Sequence, residues 1–553
     1  MISRYLPPVY ALALSLIVTA PLLPPGYLLL RDAVSTPRSY LSDAALGLSE
    51  AAPRALPQDF FIALASQVLD GGVVVKALLV AGLWAAGCGA ARLAATVVPD
   101  AGVAGRCVAV TVAVWNPYVA ERLLQGHWSL LVGYGCLPWV ATAALRLRDG
   151  SGRWWPLPFW IAAAGLTPTG LLLAAVVALV SVCAPGPGRR LPVIVVTLAA
   201  AVASALPWLV AAAVSGSLAA SPAAGIPAFA ARAEPGLGTL GSLAGLGGIW
   251  NADAVPGSRA TTFAVIATVV LLAVVAAGLS VVWRRPAAVP LLVLAATAVV
   301  LPAAMATGPG LAAVEQVVRA LPGLGVLRDG QKWVALTLPG YAVTGAGAVV
   351  AVRRVPAAAV AAVCCAALIA VLPDLAFGVG GRMRAVQYPP SWAEAAAVIN
   401  ADPRPVAVLP PDSMRQFGWA GEAPVLDPLP RWVRADVLST GDLVIGGETV
   451  PGEGMRARAV QELLLRGAPV SELAGAGVGW VVVEGEDSAL DLPVAYRGDG
   501  LAVYRVGGDG ASSPHRGLLV GAHGVWLALL LGSIFAGAVN RRRTRGRVAG
   551  PRS

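Results

Sequence analysis

Charge is what this sequence has least of. Asp, Glu, Lys and Arg make up 13% of its 553 residues, while 57% are hydrophobic. The mean hydropathy is +0.74. A soluble chain of this length carries about 25% charged residues, so the balance excludes that class and points to a polytopic α-helical membrane protein. Cysteine is absent from the polar segments: Cys88, Cys107, Cys136, Cys183, Cys364 and Cys365 fall in apolar stretches or at their ends. A disulfide framework is therefore not expected, and the six read as small core residues. The chain also lacks an internal repeat of fixed period and a long low-complexity tract. No small-residue cleavage site follows Pro21, Pro24 and Pro25, which argues against a cleaved signal peptide.

What the sequence does have is paired basic residues beside apolar runs. The net charge is +10, but its distribution is that of topology signals, so no nucleic-acid partner is expected. With about 20 apolar residues needed per crossing, spans are expected near 10–30, 72–97, 103–118, 128–145, 191–214, 261–283, 287–306, 333–352, 356–372 and 518–540. The stretch 156–183 is long for one crossing and is interrupted by Thr167-Pro168-Thr169-Gly170. Arg146, Arg148 and Arg153 precede it and Arg189 and Arg190 follow it, so a hairpin keeps both basic groups on one side. This gives about twelve crossings, with both termini and a basic tail, 541–553, in the cytoplasm of a plasma-membrane protein.

The outward segments are then 31–71, 116–127, 215–260, 307–332 and 374–516. Residues 1–373 form the multi-span domain and 517–540 the last transmembrane helix. Between them, 374–516 is soluble-like. "PVAVLP", "VGWVVVEG" and "GLAVYRVG" are short β-rich runs, and "MRARAVQELLLRGAPVSEL" has helical spacing, which predicts a small extracytoplasmic α/β or α+β domain. In a domain of that size Trp392, Trp419 and Trp432 belong to the core more often than to a carbohydrate-binding face.

Three outward loops gather polar residues. In the first, Asp32 ends the first span, placed to act as a general base or as an oxygen ligand to a divalent ion. Arg31 and Asp32 equally suit a plain interface marker, and Asp59 suits the first turn of a surface-lying helix. In the second, "WNPYVAERLLQGHW", Glu121, Arg122 and His127 stand between apolar stretches. Tyr118 and Arg122 share a face, as do Glu121 and Gln125. Glu121 with Arg122 also reads as a simple ion pair. In the third, "VLRDGQKW", Arg328 and Lys332 lie four apart on either side of Asp329. In a helix they project from one side near free amide donors, which suits a phosphate. Its rival reading is an interfacial anchor.

The phrases "GYLLLRDAVSTPRSYL", "PRALPQDF", "WNPYVAERLLQGHWSLLVGYGCLPW", "GSLAGLGGIWN", "VLRDGQKWVAL", "VAVLPPDS" and "GVGWVVVEG" together resemble the GT-C superfamily of membrane glycosyltransferases. The likeness is nearer to actinobacterial membrane proteins related to arabinofuranosyl- and mannosyltransferases. It covers most of the chain as architecture and loose phrases. It implies transfer of a sugar from a polyprenyl-phosphate donor to an envelope glycan or glycolipid at the outer face. Asp32 would be the catalytic carboxylate, accepting the acceptor hydroxyl's proton, and Glu121, Arg122, His127, Arg328, Asp329 and Lys332 would bind substrate. A divalent metal is an open option, as is the oligomeric state. Superfamily members commonly carry two adjacent acids in the first outer loop, whereas Asp32 stands between Arg31 and Ala33. A transporter or flippase of a lipid-linked sugar, and a non-catalytic envelope-assembly protein, remain alternatives.

Overall fold

The structure is a computed structural model. It describes all residues except 1, 51–52, 216–224, 412, 446, 486–489, 511–512 and 549–553. Parts of the predicted outward segment 215–260 and of the basic tail lie outside the described residues.

The chain is mostly helical, with small sheets. Among the described residues eight helices are long and apolar enough to cross a membrane: Arg4–Leu22, Gly71–Val97, Pro99–Leu124, Trp128–Arg148, Arg190–Ser215, Phe263–Val282, Gly330–Ala351 and Arg516–Asn540. Two bent pairs, Val289–Met305 with Gly308–Ala320 and Ala357–Ala370 with Pro373–Gly380, raise the number to ten if each is one span. The expected hairpin at 156–183 does break where Thr167 sits, and the Thr167 hydroxyl caps the second piece by accepting from the Gly170 amide. Its first piece, Pro156–Ala164, is 9 residues and its second, Pro168–Val182, is 15. At about 1.5 Å per residue the first reaches less than half of a bilayer core of about 30 Å. Against the expected twelve crossings, the described residues hold eight to ten helices or bent pairs of sufficient length and apolarity.

Small residues set the spacing of the central helices. A Cβ on Gly135 would meet the Gly82 carbonyl at 2.1 Å, and one on Gly278 would meet that of Thr344 at 1.7 Å. These positions bring backbones together as close-packed membrane helices require. All six cysteines are free thiols.

The polar segment folds around a mixed five-stranded sheet. Its central strand, Trp480–Glu484, pairs in parallel with Val406–Leu409, which in turn pairs in parallel with Val437–Leu438. On its other side Trp480–Glu484 pairs antiparallel with Leu501–Arg505, and that strand pairs with Val494–Gly498. Helices Pro390–Ala401 and Met455–Leu465 supply apolar side chains to the two cores on either face. Trp392 and Trp432 are buried in an aromatic cluster centred on Tyr388, and Trp419 is half-buried beside them.

The loops expected on one side do meet. Asp59 pairs with Arg431 at 3.2 Å and Arg54 with Glu453 at 2.5 Å, tying the first loop to the sheet domain. At the other end of the bundle Arg285 pairs with Asp100 at 2.7 Å, and Arg148 donates to the Gly186 carbonyl.

Candidate functional site

The site begins with a short hairpin. Tyr27–Leu30 turns back through Arg31 and Asp32 into Ala33–Val34. Arg31 has φ +49°, a left-handed conformation that a non-glycine residue adopts only when its surroundings hold it there. They do so from both domains. Its amide donates to the Pro424 carbonyl and its own carbonyl accepts from the Leu426 amide, both at 2.9 Å. Its guanidinium donates to the Leu124 carbonyl at 2.7 Å and to that of Asp253 at 3.0 Å. Far from marking an interface, Arg31 is a buried strut.

Held this way, the Asp32 carboxylate faces the segment after Trp115. There the membrane helix stops and restarts: Asn116 caps Pro117–Leu124 by accepting from the Val119 amide and donates to the Val112 and Ala113 carbonyls behind it. The chain then turns at Gly126, φ +84°. A Cβ there would lie 2.3 Å from the Ala33 amide nitrogen and 2.4 Å from the Leu30 carbonyl oxygen. Only glycine lets the two loops touch. The contact sets His127 Nε2 at 3.0 Å from Asp32 Oδ2, with Gln125 Nε2 donating to the same oxygen at 3.0 Å.

The other imidazole nitrogen fixes the tautomer. Arg122 has only donors, and one of its terminal nitrogens lies 3.0 Å from His127 Nδ1. Nδ1 must accept, so the proton sits on Nε2 and points at Asp32. Burial also holds the imidazole below its ordinary pKa, against the opposing pull of Asp32. For Asp32, burial by itself would raise the carboxyl, but the His127 and Gln125 hydrogen bonds and the Lys332 charge outweigh it and keep the group below the usual carboxylate range.

Arg122 is itself pinned. It forms a two-pronged pair with Asp329, at 2.9 and 3.0 Å, and donates to the Gln331 side chain. Gln331 in turn donates to Glu121 Oε2 at 2.9 Å. The Glu121 oxygens accept from the Gly248 and Ile249 amides, each at 3.1 Å. Glu121 and Arg122 are therefore not an ion pair with each other, because neighbours on so short a helix point about 100° apart. A second buried pair, Glu234 with Arg259, flanks the network; Arg259 Nε donates to Glu234 Oε1 at 2.9 Å.

The predicted residues thus divide into two groups. Glu121, Arg122 and Asp329 are enclosed and held by protein partners behind the open residues, with Arg122 Nε buried and without a hydrogen bond. Asp32, His127 and Lys332 remain open, with 40%, 17% and 26% of their side chains exposed. The expectation that Arg328 and Lys332 project from one helical face is corrected. The chain forms two 3₁₀ segments, Pro322–Leu327 and Gly330–Thr337, with a non-helical Asp329 between them. Lys332 turns towards Asp329, 3.5 Å away, and is close enough to Asp32 to influence its ionisation. Arg328 lies over the Phe229 ring, 4.3 Å from its centroid. Burial and the Arg54 charge bring Arg328 down to about 10, which leaves it cationic at neutral pH.

Gln125, Asn251 and Gln331 are members that the sequence reading did not select. Asn251 donates to Gln125 Oε1 at 2.8 Å, orienting that amide so that its nitrogen faces Asp32. The one local signal was Gly126 between Gln125 and His127. A metal does not fit these residues. No group of three or more His, Cys, Asp or Glu side chains that could hold an ion occurs among the described residues. Asp32 is surrounded by donors and an ammonium group, which repel a cation.

No protein-family model, no curated protein and no solved structure matches this chain.

Proposed function

We propose that this protein is an integral membrane transferase that moves a sugar from a polyprenyl-phosphate donor to a glycan or glycolipid hydroxyl, with Asp32 at the reacting centre. The reading carries with it the GT-C resemblance, a plasma-membrane location and a site facing outward with both termini cytoplasmic. The observation that supports it best is the open, ionised Asp32 carboxylate oriented by His127 and Gln125 beside Lys332, where membrane-length helices end.

The acceptor hydroxyl donates a hydrogen bond to Asp32 and attacks the anomeric carbon. The bond from that carbon to the phosphate oxygen breaks, and the lipid phosphate leaves with the electron pair. The hydroxyl proton passes to Asp32 as the new glycosidic bond forms, when that proton becomes most acidic. Lys332 and Arg328 offer positive charge to the departing phosphate, an interaction that strengthens as its negative charge grows. No step passes through a metal.

The full chain in lipid nanodiscs, supplied with radiolabelled polyprenyl-phosphate sugars and a membrane glycan extract, tests the reading. Wild type should transfer label, and Asp32→Asn should lose it by about a hundredfold or more. Equal transfer by folded Asp32→Asn would remove Asp32 from the chemistry. A carrier would instead need accessible polar groups along its path, and Glu121 and Arg122, the charges on the broken helix, are buried and held by Gly248, Ile249 and Asp329.

A further inference from the structure

A cavity away from Asp32 opens beside the sheet domain. It occupies about 490 Å³ between the 43–50 segment of the first loop and the sheet domain, at the starting ends of the parallel strands Val406–Leu409 and Val437–Leu438. That size falls within the range of about 300–1,000 Å³ usual for small-ligand sites.

Most of its charged groups already have partners. Asp43 pairs with Arg516, Glu50 accepts from the Arg456 amide at 2.9 Å, and Asp509 pairs with Arg404 at 3.0 Å. Two groups differ. Asp436, the residue before Val437–Leu438, has an Oδ1 that is buried and receives no hydrogen bond. Its place is fixed by the backbone, since its carbonyl accepts from the Val406 amide at 2.8 Å. Burial, against the pull of Arg456, raises its carboxyl above the usual range. Arg434 rests on the Tyr40 ring, 5.1 Å from its centroid, and forms no ion pair among the described residues. A buried carboxylate oxygen without a donor costs free energy until something supplies one.

The lining selects the ligand class. Four carboxylates disfavour a polyanion and three arginines disfavour a polycation. A molecule rich in hydroxyls can donate to Asp436 and accept from Arg434 with no net charge of its own. We propose that this cavity binds a short neutral stretch of glycan, held by hydroxyl donation to the Asp436 carboxylate. The inference does not rest on the transferase reading.

Saturation-transfer NMR on the full chain in nanodiscs tests it, with maltotriose and mannotriose as neutral probes and inorganic phosphate and spermidine as charged ones. Wild type and Asp32→Asn should both transfer saturation to at least one trisaccharide. Asp436→Asn should weaken that binding about tenfold or more, the usual effect of losing a hydrogen bond to a charged group. Arg434→Ala, at an exposed position, should weaken it severalfold and serves as the test if Asp436→Asn does not fold. The proposal is overturned if neither neutral probe binds or if phosphate binds in their place. It is equally overturned if the folded variants at 436 and 434 bind as wild type does, or if Asp32→Asn abolishes binding.

Discussion

His127 Nε2 lies 3.0 Å from Asp32 Oδ2 while its Nδ1 faces the Arg122 guanidinium at the same distance. An imidazole between a carboxylate and a guanidinium is held neutral and in one tautomer. The arrangement ties a surface carboxylate to a buried network that spans three loops, and its consequences can be measured.

The first concerns pH. Because the folded pKa of His127 lies below its ordinary 6.5, the unfolded chain binds more protons than the folded one in the window just below 6.5. Stability from this group is full above that value and falls as pH drops through it towards the folded pKa. Asp32 and Asp329, both depressed, add stability that is present above 3.8 and lost as pH falls through their folded values. Thermal unfolding of wild type should therefore weaken in two stages on acidification, the first starting near 6.5. His127→Gln should flatten the first stage. An unchanged profile in that variant would separate His127 from the acid response.

Breaking the Arg122–Asp329 pair should be costly. Both side chains are buried and each is the other's main compensation, so Arg122→Ala or Asp329→Asn should destabilise the protein by about 3–5 kcal/mol. Arg122→Lys should not rescue it, because an ammonium cannot make the two-pronged contact while also donating to His127. Unfolding midpoints in detergent give the ranking, and a near-neutral Arg122→Lys would contradict it.

Gly126→Ala should impair transfer more than it impairs folding. The added methyl collides with the backbone around Asp32, and the residue must also keep φ +84°. The economical response is separation of the two loops, which withdraws His127 and Gln125 from Asp32. Lost transfer with nearly normal expression and melting is the expected result. Wild-type kinetics would show that the loops tolerate the gap.

Arg328→Ala and Lys332→Ala should act on the donor, whereas Asp32→Asn acts on the chemical step. The cation variants are expected to raise KM for the lipid-phosphate donor by about tenfold or more, the usual range for a charge-assisted contact. Asp32→Asn should instead lower kcat. Chelation of divalent ions should leave wild-type transfer in place, since the site residues do not suit a metal. A KM effect confined to Asp32→Asn would reverse these roles.

Much of this protein was legible as sequence. Apolar run length identified most of the helices long enough to cross a membrane, because a bilayer demands about 20 such residues whatever they pack against. Alternating and helical periodicities placed strands at "PVAVLP", "VGWVVVEG" and "GLAVYRVG" and a helix at "MRARAVQELLL". Paired arginines grouped the loops that do meet in space. Run length failed at 156–183, where composition does not reveal that the first helix is only nine residues long.

Which side chains would face one another was decided by tertiary structure. Asp59 stands in the first turn of Gln58–Ala65 as its sequence suggests, and its pairing with Arg431, far along the chain, is what the sequence did not show. Glu121 and Arg122 are neighbours in sequence yet turn to different partners, and Asp329 pairs with Arg122 and Lys332. Local sequence fixes periodicity and turn preference, which are properties of adjacent residues. Long-range packing of Gly126 against the Asp32 turn, and of Arg31 between two domains, chooses among the many pairings that periodicity leaves equally open.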